Sequence, residues 1–245
     1  MPDGLPYVII AAAANLAGAV AVTWRRQWSV MAIDTMIAVS AGFMMAVTIT
    51  DIFPEAIARG GESAAAIVLL GYLLVHFTQH TLVKHFHFGE ETHEVSPMVS
   101  VSALVGLLLH TFVDGVAIAS GFHVSHSLGM LVFVAILLHK IPEGLAISSL
   151  FLAAGRRRRE ALLAAAALGA ATILGFALTE SVGALAQYGL PLAAGVTLYV
   201  AASNLVPEFQ SKSGWRLPFA FFAGCALYFG VRTVLHASSG FAVLR

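Results

Sequence analysis

Charge is what this sequence has least of. Asp, Glu, Lys and Arg make up 11% of its 245 residues, 59% are hydrophobic, and soluble domains carry about 25% charge. So few charges cannot build a water-facing surface, and the mean hydropathy of +0.87 agrees. A single cysteine, Cys225, excludes a disulfide framework and a thiolate metal cluster. It lies inside an apolar run and reads as a small packing residue. No basic stretch precedes the first apolar segment, so a cleaved leader is not expected.

Apolar runs are what the chain has in quantity. Leu5 to Thr23, Ala64 to Val83 and Met98 to Phe122 carry few ionisable groups, and about 20 apolar residues cross roughly 30 Å of hydrocarbon as a helix. The expected fold is all-α and polytopic: one transmembrane domain over 1–245. Its eight helices are predicted at about 5–23, 30–58, 64–83, 98–122, 128–154, 161–185, 190–210 and 215–236. Nine of the thirteen basic residues (Arg25, Arg26, Lys84, Arg156 to Arg159, Lys212 and Arg216) then fall on one side. Lys and Arg stay preferentially on the cytoplasmic side, so both termini are expected outside. The four consecutive arginines sit in a tight loop between two hydrophobic segments, where they read as this topology signal and not as a nucleic-acid patch. The linker from Lys84 to Ser96 has His85, His87 and His93 among Glu90, Glu91 and Glu94; it reads equally as a weak metal-holding loop or as a solvated connection.

Two internal repeats organise the rest. The string from Leu108 to Ile118, LLHTFVDGVAI, is echoed from Leu137 to Ile147 as LLHKIPEGLAI. A weaker pair is DIFPE at Asp51 to Glu55 and NLVPE at Asn204 to Glu208. Both pairs lie on helices predicted to run oppositely. They suggest an inverted repeat of helices 1–3 and 6–8 around a helix 4/5 pair, as in secondary transporters.

Ionisable groups in hydrocarbon cost about 2.5 to 3.5 kcal/mol each on insertion scales and normally face a partner. His110 and Asp114 are four residues apart, as are His139 and Glu143, so each pair projects from one helix face. Two imidazoles and two carboxylates meeting across two helices form a nitrogen and oxygen set suited to Zn²⁺ and other divalent transition metals. Pro142 inside the second copy frees the carbonyl of Leu138. Lys140 needs a counter-charge, and Glu143 one turn away or Glu180 in helix 6 are the candidates. A Schiff-base lysine, as in retinal proteins, does not account for the duplicated His and carboxylate motif beside it. Asp51, Glu55, His123 and His126 are candidates for an entry path; Asn204, Glu208, His85, His87 and His93 are candidates for an exit. His76 and His80, four apart in helix 3, read as either ligands or interfacial residues.

HTFVDGVAI and HKIPEGLAI on successive helices, the eight-helix hydropathy, the His-containing loop and Thr179-Glu180 in helix 6 together resemble the Zrt/Irt-like (ZIP) divalent metal transporter family, prokaryotic type. The resemblance implies uptake of a divalent metal into the cytoplasm through helices 4 and 5, zinc first and iron, manganese or cadmium after it. No organic cofactor is implied. It also implies a bacterial cytoplasmic membrane, dimers in many members, and a bundle of helices 1, 4, 5 and 6 moving against helices 2, 3, 7 and 8. Two-metal members carry Asn and an acidic residue where Thr111 and Lys140 stand here. One intramembrane ion is therefore expected, with Lys140 in the place of a second and Glu180 as its partner. The competing reading is a membrane-embedded metal-dependent hydrolase; no HExxH string supports it, and four protein ligands would close the site to water. A metal sensor would need a soluble output domain, and no sizeable one is expected from this sequence.

Overall fold

A computed structural model describes residues 3–24, 30–81, 97–210 and 212–242. Among these residues there is no strand, and eight rods of helix follow one another. They are α1 (Leu5–Trp24), α2, α3 (Ala64–Thr81), α4 (Pro97–Val124), α5 (His126–Ala153), α6 (Arg158–Ser181), α7 and α8 (Arg216–Ala242). Two are composite. α2 is α-helical over Val30–Val47, π-helical over Thr48–Ile52 and α-helical again over Phe53–Gly60. α7 repeats the pattern with Gly183–Tyr199, a π-helical Val200–Leu205 and Val206–Gln210. Asp51 and Asn204, the heads of the weaker sequence repeat, thus sit in equivalent π turns, and Pro54 and Pro207 open the α-helix that follows.

Six stretches are long and apolar enough to cross a membrane, and one of them, Met31–Gln79, has 49 residues. At about 1.5 Å per residue that is twice a bilayer's hydrocarbon, and Gly61 at φ 62° turns the chain between α2 and α3. α7 is not among the six. The protein is an all-α polytopic membrane protein. Helix 6 begins earlier than the sequence suggested. Glu160 accepts from the backbone N–H of Arg157 at 2.8 Å, a capping contact that draws Arg158 and Arg159 into the first turn. The α6–α7 connection lies at Val182, nearer the start of the chain than the sequence suggested.

What joins the helices is a single crossing used four times. Gly18 lies on the carbonyl of Ile141 and Gly144 on that of Asn15, so α1 and α5 touch backbone to backbone. Gly115 and Gly175 join α4 to α6 through Thr172 and Phe112 in the same way; Gly42 and Gly224 join α2 to α8, and Gly71 and Gly195 join α3 to α7. Each glycine meets the carbonyl three residues before its partner glycine, and a Cβ at any of the eight would collide with it. Small residues permit such approach in membranes, where packing rather than the hydrophobic effect joins helices. Exchanging helices 1 with 6, 2 with 7, 3 with 8 and 4 with 5 maps these four crossings onto one another.

Candidate metal centre

α4 and α5 run antiparallel through the middle of the molecule and bring the two long motifs together. His110, Asp114, His139 and Glu143 are all buried, and one ligand atom from each lies within 4.8 Å of all the others. It is the one such His, Cys, Asp or Glu group among the described residues. The rings of His110 and His139 are 5.5 Å apart. Asp114 Oδ2 is the hub: His139 Nε2 lies 3.3 Å from it and His110 Nε2 3.5 Å.

The imidazole of His139 is oriented from behind. Its Nδ1 donates to the carbonyl of Ala135 at 3.0 Å, so in the neutral ring Nε2 keeps its lone pair. That lone pair faces a carboxylate oxygen, a contact that either a proton on Nε2 or a metal ion shared by the two atoms would satisfy. A backbone carbonyl holding the far nitrogen of a histidine is also how metal-binding imidazoles are commonly fixed. Two further buried atoms have no partner, Glu143 Oε1 and His110 Nδ1. The donor set fits a divalent transition metal on these grounds.

Lys140 is fully buried and its Nζ reaches both carboxylates, 2.6 Å to Asp114 Oδ2 and 2.8 Å to Glu143 Oε2. The expected pairing of Lys140 with Glu180 is therefore corrected. Glu180 lies at the far end of α6, where its carboxylate meets His123 Nε2 at 2.8 Å. His123 is thirteen residues, about 20 Å of helix, beyond His110. Thr111 is buried and donates to Leu108 of its own helix at 3.1 Å, without reaching the cluster.

Pro142 shapes the site from the backbone. It leaves the carbonyl of Leu138 without its intrahelical donor, and Ser40 of α2 supplies one, its Oγ donating at 2.8 Å. Asn15 of α1 is fully buried beside the next turn. Its carboxamide faces two acceptors, which assigns the nitrogen to that side; so oriented, Nδ2 donates to the Lys140 carbonyl at 2.7 Å and to Glu143 Oε2 at 3.3 Å. Sequence reading missed both residues. Ser40 had no signal beyond the vacancy that Pro142 creates, whereas Asn15 is a carboxamide in an otherwise apolar first helix and stood out in principle.

The four entry-path candidates each have a neighbour of their own, His123 the Glu180 carboxylate already described. Asp51 accepts from Tyr228 and pairs with Arg232 at 3.4 Å, and Glu55 pairs with Arg59. His126 packs edge-on against Tyr7 and Phe122. Asn204 is half-buried in the π turn of α7. The side chain of Glu208 and the residues His85, His87 and His93 lie outside the described part, as do Arg25, Arg26 and Lys84 and the side chain of His80.

No curated protein matches the chain. The family model described as ZIP Zinc transporter matches residues 79–236, which contain α4, α5 and all four clustered residues. That span is well over half of the sequence, and with the buried His and carboxylate cluster already in place, the chain belongs to the ZIP zinc transporter family.

Proposed function

We propose that this protein carries a divalent transition metal, zinc first, across the membrane into the cytoplasm, and that His110, Asp114, His139 and Glu143 hold the ion midway. The family is one of transporters and not of enzymes, so the hydrolase reading falls away. The observation that supports the site most directly is the convergence of four buried ligand atoms within 4.8 Å from two antiparallel helices. One ion binds there. Lys140 stands beside it in the place of a second, holding one oxygen of each carboxylate and leaving Glu143 Oε1 to the metal.

Entry is at His123 and His126, with Glu180 joining His123, and Asp51 and Glu55, each paired with an arginine, belong to the same path. Exit runs past Asn204 and Glu208 to the histidine loop. The charge pattern supports termini outside the cytoplasm in a bacterial inner membrane. The glycine crossings support motion of α1, α4, α5 and α6 as one body against α2, α3, α7 and α8; one transmembrane domain that pairs as a homodimer follows from the family resemblance alone. Time-dependent metal accumulation in proteoliposomes, across a panel of Zn²⁺, Fe²⁺, Mn²⁺ and Cd²⁺, tests the reading. His139→Ala and Glu143→Ala should insert normally and reduce uptake to background. Near-normal uptake by either would refute the assigned site.

A further inference from the structure

We infer that Asn15 of α1 is a positioning residue of the metal site, acting through Glu143, which makes the centre a three-helix construction; the inference rests on the site reading above. With the Asn15 carboxamide oriented by the acceptors it faces, Glu143 Oε2 accepts from two donors, Lys140 Nζ at 2.8 Å and Asn15 Nδ2 at 3.3 Å, while Oε1 is buried with none. A carboxylate held at one oxygen from two directions cannot rotate about its terminal bond without losing a hydrogen bond. Its other oxygen therefore stays presented to the ion. Asn15 also donates to the carbonyl of Lys140 at 2.7 Å, fixing the turn that carries both Lys140 and Glu143 beside the Pro142 break.

The fold itself shows that the helix crossing has no use for an amide at this position. Asn15 is the residue whose carbonyl receives Gly144, and the same position recurs in every crossing. Its counterpart under the internal exchange of helices is Thr172, whose hydroxyl turns back to Leu168 of its own helix at 3.2 Å. The position is held by Phe112 in α4, by Val39 and Phe221 in the α2–α8 crossing, and by Val68 and Leu192 in the α3–α7 crossing. Apolar side chains and a self-bonded threonine serve equally well. A buried carboxamide costs insertion free energy that these do not, and what Asn15 adds is the bond to Glu143 and to its turn.

Asn15→Val and Asn15→Thr place at this position residues that the other crossings already tolerate. Both leave Glu143 Oε2 with its lysine and the Lys140 carbonyl with its helical N–H. Zinc uptake by proteoliposomes and calorimetric zinc binding to the purified protein should show KM and Kd raised about tenfold. The maximal rate per inserted carrier should stay within about twofold, and so should the metal-free melting behaviour within a few degrees. A packing role would instead lower the amount of folded carrier at unchanged KM. If the valine variant does not insert, Asn15→Ser, which keeps a short donor, must give a KM between those of the unmutated protein and Asn15→Ala. Wild-type KM and Kd in all inserted variants, alongside loss of binding in Asp114→Ala, would overturn the inference and leave the site standing; undiminished binding in Asp114→Ala would overturn the site itself.

Discussion

Lys140 sets the charge of the centre. With both carboxylates ionised and both imidazoles neutral, Asp114, Glu143 and Lys140 sum to one negative charge in a buried place. A dication entering beside an ammonium meets repulsion on the order of 4 kcal/mol per unit-charge pair at 4 Å and an effective dielectric of 20. Lys140→Gln removes that repulsion but strands two carboxylates in the empty protein. Two effects of opposite sign are expected: metal affinity rises at least tenfold, and the metal-free protein loses about 3 kcal/mol of stability. Calorimetry and thermal unfolding with and without zinc read both. A variant that binds metal no better would show that Lys140 lies away from the ion. Lys140→Asp should go further and admit a second ion, visible by anomalous scattering at a metal edge; one ion in that variant would count against the lysine as its replacement. Acidification should weaken binding, because protons compete for the imidazole and carboxylate lone pairs. An affinity flat from about pH 5 to 8, where histidine changes charge, would remove His110 and His139 from the ligand set.

At the scale of elements, the break in α5 is repaired from outside. Ser40 donates to the one carbonyl that Pro142 orphans, and it does so from α2, across the line between the two helix groups. Ser40→Ala leaves that carbonyl unpaired in an apolar seam and should cost about 1 to 3 kcal/mol. The double variant Ser40→Ala with Pro142→Ala restores the intrahelical bond and should regain most of the loss, measured by thermal unfolding; an additive double variant would contradict the repair. The same break explains what was legible in the sequence. Helix positions and the His, carboxylate motif follow from hydropathy and i, i+4 spacing, which are properties of a single helix. The vacancy at Leu138 was legible too, since it is covalent. Which residue fills it was not, because that depends on the rotation and depth of α2 against α5. The partner of Lys140 depends on the same kind of fact, since the depth of Glu180 follows from where α6 begins, and its start at Arg158 sets Glu180 toward the membrane edge. The π turns left no mark beyond a proline two residues on, and Pro142 and Pro191 lie inside α-helix with no π turn before them.

For the whole molecule, the four glycine crossings dictate an order of assembly. Taking α1 to α4 and α5 to α8 as halves, each crossing joins a helix of one half to a helix of the other: α1 to α5, α2 to α8, α3 to α7 and α4 to α6. Neither half contains a complete crossing. A ribosome delivering this chain therefore threads four helices into the bilayer with Gly18, Gly42, Gly71 and Gly115 facing lipid tails. α2 waits longest, since its partner is the last helix made. Membrane insertion and tertiary closure are then separate events in time, and the open glycine faces are where quality-control proteases or wrong partners gain access during synthesis. A nascent chain stalled before Arg216 should be degraded faster than one released with α8 complete. Two halves expressed as separate polypeptides should each be unstable alone and accumulate together.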